Sequence, residues 1–215
     1  MEAIAENVCD HKDDCLDHSD ELGESCKKIW LGKNYNKNYP PMPKFQNSST
    51  DHYLPINTSI KILDIISVSQ DPGKINFFIK LKFKWFDGNL KFSFLKDDDR
   101  RNPINATTEK TIWTPEIGFQ YLHDDEKITF RSLLMQKVNT QEISENIDQL
   151  YSFKFYDGRQ NSLKLEIFYK MSFLCHFKIL SYEYPFGQDD CTLDIYFKNN
   201  DNLLVTFHVH KLGKK

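Results

Sequence analysis

Nowhere in this chain do apolar residues run for the ~18–20 positions that a membrane-crossing helix needs. The first ten residues, MEAIAENVCD, have no apolar core and do not read as a secretion leader. The sequence holds no glycine-rich phosphate cradle, no nucleophile elbow and no His-rich zinc spacing, so catalysis has no candidate constellation and no enzyme is expected. Net charge is only −3, from 28 basic and 31 acidic residues, which supplies no basic field for nucleic acid.

What is present points to β structure. Hydrophobic content is 40%, enough for a packed core, and the 14% aromatic share is rich in Phe and Tyr, residues that favour pleated, half-buried surfaces. In INFFIKLKFKW, Ile79, Leu81, Phe83 and Trp85 point one way and Lys80, Lys82 and Lys84 the other. Leu163, Leu165, Ile167, Tyr169, Met171 and Phe173 alternate with polar neighbours, as do Leu203, Val205, Phe207 and Val209. Ile60, Ile62, Ile66 and Val68 read as another such row, with a turn at Asp71-Pro72-Gly73. A short helical piece is expected only around EISENIDQL. Residues 28–52, rich in Asn, Lys, Tyr and Pro, read as a linker. Several short strands with turn signals between them predict an all-β fold, a β-sandwich.

Cysteine usage is uneven: three of five lie in the first 26 residues. Three sequons begin at Asn47, Asn57 and Asn105, and with the cysteines they point to an oxidising, glycosylating compartment. Between Cys9 and Cys26 there are seven carboxylates against one Lys. Such a run suits either a solvated tail or, through closely spaced oxygens, a calcium cage. The stretch VCDHKDDCLDHSDELGESC resembles the second half of an LDL-receptor class A module, whose signature is C-D-G-x-x-D-C-x-D-x-S-D-E and a last Cys. That resemblance implies calcium as cofactor of this module alone, held by the carboxylates of Asp10, Asp14, Asp20 and Glu21 and by the carbonyls of Asn7 and Lys12. It implies a Cys9–Cys26 disulfide, leaves Cys15 an orphan, and makes residues 1–27 a partial module. By that family's habit the carboxylates would grip a basic side chain of an extracellular partner.

Further along, three features follow one another: Trp85-Phe-Asp87-Gly-Asn-Leu90, then Trp113-Thr-Pro115-Glu116, then Cys175 and Cys191 with Tyr184-Pro185-Phe186 between them. Singly, each is a buried Trp, a strand-ending Pro or a stapling pair worth about 3 kcal/mol if closed. In this order they resemble the extracellular ligand-binding domain of the Cys-loop pentameric ligand-gated ion channels, which carries W-x-D-x-x-L, W-x-P-D and a cysteine loop with an aromatic-Pro tip. The resemblance implies an immunoglobulin-like sandwich over residues 53–210. It implies a Cys175–Cys191 disulfide whose tip, Tyr184, Pro185 and Phe186, relays ligand binding to a membrane pore. The implied partners are homologous subunits in a pentamer, a small-molecule ligand, and the membrane through a domain beyond this chain. The implied location is the extracellular side of the plasma membrane.

The chain departs from that family in places. The cysteine loop is longer than usual, Gly187 and Asp189 stand where Asp and Gln are customary at its tip, and Glu116 ends the second motif in place of Asp. Aligned on Trp85, the aromatic expected on the interface strand falls at Lys80. Aligned on Pro115, the first binding loop falls at Gln120 and Tyr121, and the next loop brings Tyr196 and Lys198. A lysine row repels quaternary amines, so an acidic ligand, a proton or no ligand fits better than an acetylcholine-like agonist, and Lys80, Lys82 and Lys84 read equally as a plain solvated strand face. The chain is also expected to stop short of the family's last two strands and membrane helices. Two other readings stay open: a soluble secreted binding protein of the same fold, and a receptor fragment in which the class A module does the binding.

Overall fold

A computed structural model describes residues 28–41, 54–69, 74–119, 127–148, 151–174, 195–198 and 205–209. Apart from one 3₁₀ turn, Asp99–Arg101, and one helical turn, α1 (Ala106–Glu109), the regular elements in these residues are strands, and the chain is all-β as its alternation predicts. It divides into two compact units.

The first unit takes residues 1–47, 86–113 and 134–163. Its sheet runs in the order β1 (Ile29–Leu31), β4 (Leu90–Ser93), β8 (Tyr151–Asp157) and β7 (Ile143–Asp148). The described part of the expected linker is therefore built into the fold: Ile29 pairs with Phe92, and both are buried. The helical piece expected around Ile143 is also corrected, because Ile143–Asp148 is a strand paired antiparallel with β8, Ile143 facing Phe155. Ladder bonds to a neighbour outweigh a weak local helical preference. Trp30 stands edge-on to Phe155 at 5.6 Å, and Lys91 lies over the same ring at 6.0 Å. Asn102, buried, imitates a strand neighbour by exchanging 2.8 Å hydrogen bonds with both the N–H and the C=O of Lys96.

The second unit takes residues 48–85, 114–133 and 164–215. It holds most of a five-stranded sheet, ordered β11 (Val205–Val209), β2 (Leu54–Ser69), β3 (Lys74–Phe86), β9 (Ser162–Leu174), β6 (Lys127–Gln136). It also holds the pair β5 (Ile117–Phe119) and β10 (Ile195–Phe197). The apolar rows predicted in β3 and β9 are buried throughout, from Ile79 to Trp85 and from Leu163 to Phe173. Phe77 and Phe173 meet edge-to-face at 5.7 Å, and Phe119 and Tyr169 at 5.1 Å. The predicted row in β2 is not one row. Its register against β3 shifts between Ile62 and Asp64 and again between Ile65 and Ser67, and Ile62, Ile66 and Val68 are exposed.

Candidate functional site

The outward face of the large sheet carries the first cluster. Because Leu81, Phe83 and Trp85 turn inward on β3, Lys80, Lys82 and Lys84 turn outward. On neighbouring β9 the same alternation sends Lys164, Glu166 and Phe168 outward. Glu166 collects three ammonium groups: Lys80 at 2.7 Å, Lys82 at 3.3 Å and Lys164 at 3.5 Å. Lys80 also sits over the Phe168 ring, 4.6 Å from its centre, and Phe168 meets Phe130 of β6 edge-to-face at 5.3 Å. Burial by itself raises the Glu166 carboxyl, but the hydrogen bond from Lys80 and the charge of Lys82 overcome it and hold the group below the usual glutamate range. The face is thus a cationic patch with one internal counter-ion and an exposed aromatic, Phe130, at its side.

The second cluster lies along β5 and β10. Their antiparallel register sets Tyr196 opposite Gly118 and Phe197 opposite Ile117, and the Lys198 N–H donates to the Glu116 carbonyl at 2.8 Å. This pairing brings together Glu116, Tyr196 and Lys198, three residues singled out separately in the sequence. Tyr196 lays its ring over Gly118, where an added Cβ would come within 2.5 Å of the ring. Pro115 is buried just before this pair, and Glu116 is exposed.

The motif residues divide by role. Trp85, Leu90 and Trp113 are buried core. Asp87 is fully buried in the first unit, where it accepts the Tyr35 hydroxyl at 3.0 Å and the Asn89 N–H at 3.0 Å. The Tyr35 oxygen in turn accepts the Trp113 N–H at 2.8 Å, so one hydroxyl joins the first motif to the second. Burial raises the Asp87 carboxyl, with the Asn89 and Tyr35 donors opposing, while burial and the neighbouring Asp87 charge push the Tyr35 phenol up. The Asp87–Leu90 turn is gripped by Gly158, whose N–H donates to Leu90 and whose C=O accepts from Asp87.

Gln120 and Tyr121, the cysteines Cys9, Cys26, Cys175 and Cys191, the tip Tyr184, Pro185 and Phe186, the carboxylates Asp10, Asp14, Asp20 and Glu21, and Asn47 lie outside the described residues. Asn57 and Asn105 are exposed. Among the described residues, no group of His, Cys, Asp or Glu could hold a metal ion. Sequence reasoning missed Tyr35, Glu166, Phe168 and Phe130. Outward parity marks Glu166 and Phe168 in β9, but nothing in the sequence makes β9 the neighbour of β3.

The family profile of the neurotransmitter-gated ion-channel ligand binding domain matches residues 27–212. The chain belongs to that family. It is a family of binding domains rather than enzymes, and its all-β sandwich is the fold class of this chain. The match begins at residue 27, so the segment holding β1 and Tyr35 is part of the domain. No curated protein matches the chain. Among the described residues no helix is long and apolar enough to cross a membrane.

Proposed function

We propose that this domain is the extracellular sensor of a ligand-gated channel subunit, assembled with homologous subunits in a pentamer at the plasma membrane. The observation that carries this reading is the family match over residues 27–212. A small ligand carrying a carboxylate would meet the lysine face around Glu166 on one subunit and the Glu116–Tyr196–Lys198 strand pair, with Gln120 and Tyr121 following β5, on its neighbour. The Cys175–Cys191 loop, with Tyr184-Pro185-Phe186 at its tip, would pass the signal to the pore. The segment before residue 28 would act as a calcium-dependent contact for an extracellular partner, through Asp10, Asp14, Asp20 and Glu21.

The lysine cluster favours an anion over a quaternary amine. Three ammonium groups against one carboxylate leave positive charge in excess, and a ligand cation entering there meets like charge.

The test has two parts. Calorimetry on the secreted chain should detect L-glutamate or γ-aminobutyrate and not choline, with affinity falling at least tenfold in Lys80→Glu. Oocytes injected with the transcript that encodes this chain should pass current when the same ligand is applied. Binding without current would favour a soluble secreted binding protein of the same fold, and preferential binding of choline would sink the acidic-ligand reading. Binding by residues 1–27 alone would favour the class A receptor reading.

A further inference from the structure

The three sequons are not equivalent once the chain is folded. Asn105 is exposed and stands directly before α1, with backbone angles of −72° and 158°. Its side-chain oxygen accepts the Thr108 N–H at 2.7 Å, so the amide nitrogen is the end of the side chain left to face solvent. Thr107, the hydroxyl residue of the sequon, is exposed as well. This geometry is made by contacts within four successive residues, and a local turn of this kind forms without waiting for distant strands.

Asn57 is placed otherwise. It lies inside β2, which is flanked by β3 and β11, and it faces Lys84 across one ladder and His208 across the other. Its sequon continues through Thr58, which is 3% exposed and whose hydroxyl turns back to the Ile56 carbonyl, and through the half-buried Ser59. Sequons that carry sugar sit in surface loops, and a mid-sheet strand is the opposite environment. Asn57 is opposite Lys84 on the face that also presents Lys80 and Lys82, so an oligosaccharide there would cover the cationic patch.

We infer that Asn105 is an N-glycosylation site in the first unit, and that Asn57 stays bare, keeping the lysine face of the second unit open. The inference rests on the extracellular reading above. In the reaction the Asn105 side-chain nitrogen bonds to the anomeric carbon of an oligosaccharide while that carbon's bond to a lipid diphosphate breaks. The diphosphate leaves with the electron pair, and the amide gives up one proton. The lipid-linked sugar donor is the co-reactant of the secretory compartment. The Asn105 oxygen takes no part in the new bond and keeps its hydrogen bond to Thr108.

The experiment is translation of the full chain into microsomal vesicles behind an added secretion leader, with Asn47→Gln included to silence the remaining sequon. Entry is forced, so a failed glycan and a failed channel reading are separable. One mobility step, removed by endoglycosidase, is expected. Thr107→Ala should abolish it while leaving the cap intact, Asn105→Gln should abolish it too, and Asn57→Gln should leave it unchanged. A step that survives Asn105→Gln and Thr107→Ala, or no step at all, overturns the assignment. A second step lost in Asn57→Gln overturns the claim that the lysine face is bare.

Discussion

Tyr35 and Asp87 stand 52 positions apart in sequence and share a 3.0 Å hydrogen bond in the first unit, with Asp87 fully buried. A carboxylate in that position needs its donors, because a buried polar group left unsatisfied costs about 1–3 kcal/mol. Tyr35→Phe is therefore expected to destabilise the domain by about that amount in denaturant titrations. The pH dependence has a definite sign. Asp87 is raised by burial and lowered by the Tyr35 donor, so losing the hydroxyl raises it further. A raised carboxyl stabilises below its unfolded value and loses that contribution as pH climbs through the folded value. The Tyr35→Phe deficit should thus be largest at neutral pH and shrink on acidification. A pH-independent deficit would count against this account.

Gly158 lies against the same turn. A Cβ built on it falls 2.1 Å from the Asp87 carbonyl oxygen and 2.7 Å from that of Leu90. Neither neighbour is a flexible side chain, so the clash has no cheap relief. Gly158→Ala should cost at least about 2–3 kcal/mol, in line with overpacking elsewhere, or prevent folding. Thermal melts beside Gly88→Ala give the contrast, since at Gly88 the obstruction is the Arg159 side chain, which can move.

Glu166 gives a second pH-dependent test with the opposite sign. Its carboxyl is held below the usual range by Lys80 and Lys82 against the effect of burial, so its contribution is present above the unfolded value of about 4.3 and is lost as pH falls through the lowered folded value. Wild type should exceed Glu166→Gln by a steady margin from pH 7 to 5, and the gap should close in stronger acid. Partly exposed pairs of this kind are worth about 0.2–1 kcal/mol each, so the margin is small. A gap that persists unchanged at pH 3 would mean the ion pairs contribute nothing.

Gly118→Ala separates packing from binding. The new methyl would displace the Tyr196 ring, which is 43% exposed and has room to swing outward. Stability should change by no more than about 0.5 kcal/mol, while tyrosine fluorescence and the affinity for the proposed acidic ligand both shift. Unchanged affinity would remove Tyr196 from the proposed site.

The strands that were legible in the sequence are those with an uninterrupted period of two. In β3 and β9 each residue kept its predicted side, and the lysine row followed. β2 defeated the same reading for a physical reason. Its two register shifts each insert a residue, so Ile62, Ile65 and Val68 fall opposite Ile79, Phe77 and Ile75. A single face there repeats every third residue, a spacing that imitates a helix more than a strand. β7 was hidden by its composition: Ser, Glu, Asn and Asp carry no apolar alternation, and only the ladder with β8 makes it a strand.

The candidate site was legible by halves. Motif spacing located Lys80, Glu116, Tyr196 and Lys198, yet that Glu166 would gather three lysines depends on strand order, which no local pattern encodes. Tyr35 was unreadable for a similar reason. Its partners, Asp87 and Trp113, come from segments far along the chain, and its own surroundings of Gly, Lys and Asn look like connecting sequence.

The imbalance around Glu166 also bears on how fast an anion arrives. A surface with excess positive charge draws opposite charge over distances of about a Debye length, roughly 8 Å in physiological salt and 30 Å at a fifteenth of that ionic strength. Capture of the proposed anionic ligand from dilute salt would be accelerated, while its release, governed by short-range contacts, would respond far less. A change in extracellular salt would then retune how fast such an anion binds more than how long it stays.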